Sequence, residues 1–180
     1  MASGLQNQTE EEWRGQVIAM NEVRIVQNPC LGAFLIWRFA ATYNETTSQP
    51  VPFPLVFVVL PILFQRSLRD LLTSTQRGSG FSKVIEKLAQ AKMSKTDLIE
   101  SINARAIQLR PLTLHSLRIL IRLNLVSIDL STTGVVASTR KPDIDFKDDV
   151  TEMIKASEKL GFWLSHSTLY QAALLLRVRF

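Results

Sequence analysis

The 180-residue sequence contains one cysteine, two histidines and no glycine-rich loop closed by Lys-Ser or Lys-Thr. Each shortage excludes a class of chemistry. A lone Cys30 permits no internal disulfide, and with no signal-peptide pattern at the start the chain is expected to be cytoplasmic. Without a loop whose backbone amides cradle phosphate, the chain is expected not to hydrolyse nucleotide by itself, and Gly78-Ser79-Gly80 is too short to serve. Metal sites need convergent ligands, yet His115, His166 and Cys30 are far apart in sequence. The acidic residues Asp143, Asp145, Asp148 and Asp149 lack the spacing and glycine of a calcium loop and read as a solvated charge run. Cys30 stands at the start of an apolar helix, where burial would disfavour a thiolate. No metal, no cofactor and no enzymatic activity are therefore expected.

Long apolar runs are scarce as well. The longest, residues 53–64, is about 12 residues against the roughly 20 needed to span a bilayer, and Pro54 and Pro61 interrupt it, so it reads as buried core. With 46% hydrophobic residues the chain can bury a sizeable core as one compact unit. The net charge of +5 is unevenly placed. Between Arg66 and Lys141, thirteen Lys and Arg stand against five Asp and Glu, whereas the rest of the chain has eight against eleven. Such a basic field suits a phosphate backbone or an acidic protein face.

The pattern divides into four stretches: a frayed N-terminus (1–12), an apolar helical part (13–80), a winged-helix-like unit (81–141), and a charged linker with C-terminal helices (142–180). Residues 13–26 fit a helix or a strand. Asn28 caps a helix with Pro29 in its first turn, and Leu31, Phe34, Leu35, Trp37 and Phe39 make it apolar almost all round, hence central. A polar, proline-rich loop is expected over 44–54, then a kinked helix through 55–72, then a loop over 73–80. In the winged unit, Phe81, Val84, Ile85 and Leu88 mark a first helix. Ser94 caps a second, carrying Ile99, Ile102, Ala106 and Leu109, and Pro111 breaks it ahead of Thr113, the expected cap of the third. That third helix sets Leu114, Leu117, Leu120 and Ile121 against His115, Arg118 and Arg122. Asn124 stops it, and the period then falls to two through Val126, Ile128 and Leu130, a turn at 131–134, and Val135-Val136-Ala137. Helices over 150–163 and 168–176 close the chain. The expected fold class is mainly α with a small β-hairpin, an α+β arrangement.

Several segments carry a resemblance: 28–34 (Asn-Pro-Cys-Leu-Gly-Ala-Phe), the apolar 55–63, Arg110-Pro111-Leu112-Thr113, Leu125-Val126-Ser127-Ile128-Asp129, and 159–164 (Lys-Leu-Gly-Phe-Trp-Leu). In order and spacing, over roughly residues 21–180, the chain resembles the middle component of three-component ABC-ATPase conflict systems, the Lamassu-type defence modules. Similar proteins tend to end in a Gly-Val-Arg-Pro-like tail, whereas this chain ends Arg177-Val178-Arg179-Phe180. The resemblance implies a small non-catalytic adaptor acting against phage or plasmids. Its implied partners are an SMC-like ABC ATPase and an effector subunit, a nuclease or other toxic protein. It supplies no catalytic motif to carry over.

Two functions follow. One is the adaptor, supported by Trp13, Trp37 and Trp163 and by the very apolar helices, with any DNA reached through the complex and no membrane involved. The other is a freestanding winged-helix DNA-binding regulator, supported by the basic third helix. Either would place its binding residues at His115, Arg118, Arg122, Arg140 and Lys141.

Overall fold

A computed structural model describes residues 28–90, 95–140 and 148–178. The readings of 1–12 and 13–26, the Ser94 cap, Lys141 and the acidic side chains of 143–149 lie outside the described residues.

The cap at Asn28 sets the first element: its Oδ1 accepts from the amides of Cys30 and Leu31, and α1 runs Pro29–Thr47. A two-residue strand follows, β1 (Val51–Pro52), and then α2 (Phe53–Leu63) and α3 (Arg66–Ser74). After a short 3-10 turn at Arg77–Ser79 come α4 (Gly80–Gln90), α5 (Lys95–Gln108) and α6 (Arg110–Arg122). The hairpin β2 (Val126–Asp129) and β3 (Gly134–Ala137) leads to α7 (Asp148–Ser165) and α8 (Leu169–Leu176). The chain is mainly α with one small antiparallel sheet, ordered β1-β3-β2.

The core is built around α1, which packs chiefly on α7 and α6. Both seams rely on small residues that let backbones approach. Ser116 on α6 donates to the Pro29 carbonyl at 3.0 Å, beside Gly32. Ser157 on α7 donates to the Leu35 carbonyl at 2.6 Å, and one turn on Gly161 lies against the Phe39 carbonyl. Leu35, Ile36, Trp37 and Phe39 are all buried, as the nearly continuous apolar pattern of α1 requires. Helix α2 is equally apolar and is covered by α5, α1 and α7, with Pro61 inside it and a break at Phe64–Gln65 before α3. Asn44, expected to open a loop, is still helical. Its side chain accepts from the Ala137 amide at 2.7 Å and donates to the Gln49 carbonyl at 2.6 Å, which ties α1 to β3.

Within 81–141 the hairpin takes a third strand from β1, and α6 rests mainly on α1 rather than on α4 or α5. Three expectations need correction. The segment 44–54 is not a plain loop, because α1 extends to Thr47 and Val51 and Pro52 pair with Val135 and Gly134. Thr113 is not a cap. Helix α6 already begins at Arg110, Pro111 occupies its first turn where no amide is missed, and Thr113 is buried with its amide bonded to the Leu109 carbonyl. Cys30 is exposed, although its neighbours Leu31 and Gly32 in the first turn of α1 are buried against the core. Asn124, by contrast, does take the left-handed conformation, with φ of 54°.

Among the described residues no helix is long and apolar enough to cross a membrane, and no three His, Cys, Asp or Glu side chains stand together as metal ligands.

Candidate partner-binding face

The candidate binding residues fall on the outer side of α6 and at the foot of the hairpin. His115, Arg118 and Arg122 are exposed on α6, and Arg140 is exposed just past β3. Lys141 is outside the described residues. The hairpin foot is fixed to the end of α6: the Leu125 carbonyl accepts from the Ser138 amide at 2.8 Å, and the Ser138 hydroxyl accepts from the Arg140 amide at 3.1 Å. At the opposite tip, Asp129 accepts from the Ser131 amide and from the hydroxyls of Ser131 and Thr132. Those hydrogen bonds hold its carboxyl below the usual range.

The apolar side of α6 differs from the expected one. The buried positions are Thr113, Ser116, Leu117 and Leu120. Leu114 and Ile121, expected inside, lie 45% and 41% exposed on the flank between that buried face and the arginines. The physical reason is the close α1 contact at Ser116 and Gly32, which turns the small side of α6 inward and leaves two branched aliphatics out.

Those aliphatics border two adjoining hollows. One, about 370 Å³, lies between α2, α5 and α6, with Phe53 and Phe57 on one wall and Ala106, Ile107 and Leu114 on the other. Arg110 stands on its rim and the buried Val178 closes one end. The two phenylalanine rings meet edge to face with centroids 5.4 Å apart. The other, about 380 Å³, continues along α6 past Leu117 and Ile121 to Ile128, with Arg118 and Arg122 at its edge. Phe53 and Leu114 are shared between them. Among the described residues no carboxylate lines either hollow. Neither sequence period nor charge signalled this groove, because its walls come from three helices and a strand.

A third hollow holds the other group of charges, Arg77, Lys155, Lys159, Glu152 and Glu158. There Lys159 donates to the Leu72, Thr73 and Thr75 carbonyls at 3.3, 2.7 and 2.8 Å, capping the end of α3. Burial, and secondarily Lys87, push its pKa down. Trp163 donates to the Arg77 carbonyl at 2.7 Å and the Arg77 guanidinium lies over the Phe162 ring. Glu158 pairs with Arg38. Lys159, Trp163 and Arg77 thus hold α7 against the end of α3 and the turn after it, and Glu158 joins α7 to α1, so these contacts read as structural.

The arrangement sets cations beside an apolar groove, a combination suited to binding. The family model for the ABC-three component (ABC-3C) system Middle Component 3 matches residues 18–180. No curated protein and no solved structure matches.

Proposed function

The chain belongs to the Middle Component 3 family of ABC-three component systems, and from that membership we propose that it is a non-catalytic, cytoplasmic adaptor. In this reading it joins an SMC-like ABC ATPase to an effector subunit within a Lamassu-type defence module against phage or plasmids. The observation that carries the reading is the outer flank of α6, where Leu114 and Ile121 remain open to solvent along a groove that aromatic rings wall on its other side. A side chain of that kind on an exposed helix suits a protein surface that closes over it.

The same reading includes a winged-helix core with different bounds from those the sequence suggested. Helix α1, strand β1, helix α2, helix α6 and the β2-β3 hairpin follow in winged-helix order, with α3, α4 and α5 inserted between α2 and α6. The sheet order β1-β3-β2 supports this reading, since the first strand pairs with the last. Winged helices serve DNA and protein alike, so the ligand must be argued from the surface.

Co-expression with the two proteins encoded beside it, followed by size-exclusion chromatography, tests the adaptor. The expected result is one complex holding the chain and both partners. A chain that elutes alone at every salt concentration refutes it.

A second reading, direct DNA binding, is favoured by the exposed His115, Arg118 and Arg122 on the helix that a winged unit presents. Under that reading, charge reversal at Arg118 and Arg122 lowers the slope of log affinity against log salt by about 0.9 for each duplex phosphate that the chain no longer neutralises. An unchanged slope excludes this face as the DNA-binding surface.

A further inference from the structure

We infer that the hollow along α6 seats an acidic amphipathic helix from a partner protein. This rests on the adaptor reading and names the surface and partner chemistry which that reading leaves open.

Four exposed aliphatics come together from three elements: Ile107 on α5, Leu114 and Ile121 on α6, and Ile128 on β2, at 69, 45, 41 and 38% exposure. Exposed aliphatics scattered singly are ordinary, but these four line two hollows that share Phe53 and Leu114, so they form one continuous strip. Helix α6 has 13 residues and so is about 20 Å long, enough to lie beside three or four turns of a second helix. That is the geometry in which an amphipathic helix sets anchors at i, i+3 or i+4, and i+7 into a groove.

Charge selects among occupants. Arg110, Arg118 and Arg122 border the strip, and none of them belongs to an ion pair among the described residues. A second copy of the chain would bring this cationic rim against itself across a two-fold axis, a like-charge contact that opposes association. Duplex DNA would satisfy the arginines but leave the four aliphatics and the two phenylalanine rings against a polar surface. A helix with an apolar stripe flanked by Asp and Glu meets both demands at once.

The test uses the full chain co-expressed with the ABC ATPase and effector encoded beside it. Leu114→Glu with Ile121→Glu, at exposed positions, is expected to weaken the complex at least about tenfold without moving the melting temperature. Arg118→Glu with Arg122→Glu is expected to weaken it and to flatten its salt dependence. Hydrogen exchange on the partners should reveal protection of one acidic helical segment, and Lys substitutions there should restore binding to the charge-reversed chain. A wild-type chain that binds neither partner refutes the adaptor and this inference together. If wild type and both variants bind alike with folds intact, the inference falls while the adaptor stands. A homodimer that Ile121→Glu dissolves, or protection confined to a segment without carboxylates, also overturns it.

Discussion

Replacing Gly161 by alanine examines the seam on which the whole fold rests. A Cβ added at Gly161 would lie 2.5 Å from the Phe39 carbonyl oxygen, 3.3 Å from its carbonyl carbon and 3.3 Å from the Thr42 Cβ. Two of those atoms are α1 backbone, so no side-chain rotation relieves the clash and the two helices must separate. Overpacking of this kind costs about 3 kcal/mol at the upper end of the usual range. Alanine's better helix propensity offsets about 1 kcal/mol. The net loss is about 2 kcal/mol, which for a domain of this size lowers the melting temperature by about 4–8 °C.

Thermal unfolding followed by circular dichroism measures it, with Gly78→Ala as the control, since a Cβ built there meets nothing within 4 Å. The control is expected to melt with the parent. A double-mutant cycle adds a sharper reading. Separating α1 from α7 also stretches the Ser157 bond to Leu35, so Ser157→Ala should cost less in the Gly161→Ala background than alone. A Gly161→Ala protein that melts at or above the parent, or strict additivity with Ser157→Ala, refutes the account of the seam.

Trp37 is buried and its indole N–H has no hydrogen-bond partner among the described residues, so Trp37→Ala should cost about 3–5 kcal/mol while Trp37→Phe costs far less, both read by urea denaturation. If Trp37→Ala instead melts with the parent and loses the partner proteins, Trp37 is an interface anchor. Lys159→Met removes the donor from three carbonyls around the end of α3 and should destabilise by about 1.5–3 kcal/mol, with faster amide exchange in 66–75 as the local readout. Asp129 should titrate below the ordinary carboxylate value by NMR. Because its folded pKa is the lower one, its contribution to the hairpin tip is complete above the unfolded value and drains away as pH falls through the folded one, and Asp129→Asn should abolish that dependence.

Much of the architecture is legible in the sequence because it rests on local chemistry. Asn28-Pro29 announces α1 through a cap and a fixed φ. The change from a period near 3.6 to one of two at Asn124 locates the end of α6 and the start of the hairpin, since it coincides with a residue suited to φ above zero. Strand β1 is not legible for the opposite reason. It has two residues, one of them proline, and it exists only because β3 arrives from more than 80 positions away to pair with it. Proline is tolerated there because β1 is an edge strand with one side unpaired. Without that pairing, nothing local marks α1 and α2 as neighbours of the hairpin.

The misplacement of the α6 face has a different physics. Periodicity measures how wide an apolar arc is, and the arc of α6 spans Thr113 through Ile121, but width does not say which part another element covers. Closeness of approach decides that. Helix α1 meets α6 at Gly32, where a Cβ would clash with the Ser116 hydroxyl, so the seam requires a small residue at Ser116 and leaves the larger Leu114 and Ile121 toward solvent. Ranking by hydrophobicity puts serine and threonine outside. Ranking by size, with each hydroxyl asked for a carbonyl partner, puts Ser116 inside, as its bond to Pro29 requires. The same criterion identifies Ser157 and Gly161 on α7. Once small residues are assigned to the seams, the aliphatics left over on α6 are no longer core, and their position between Arg118 and the buried stripe becomes a surface that needs a partner to explain it.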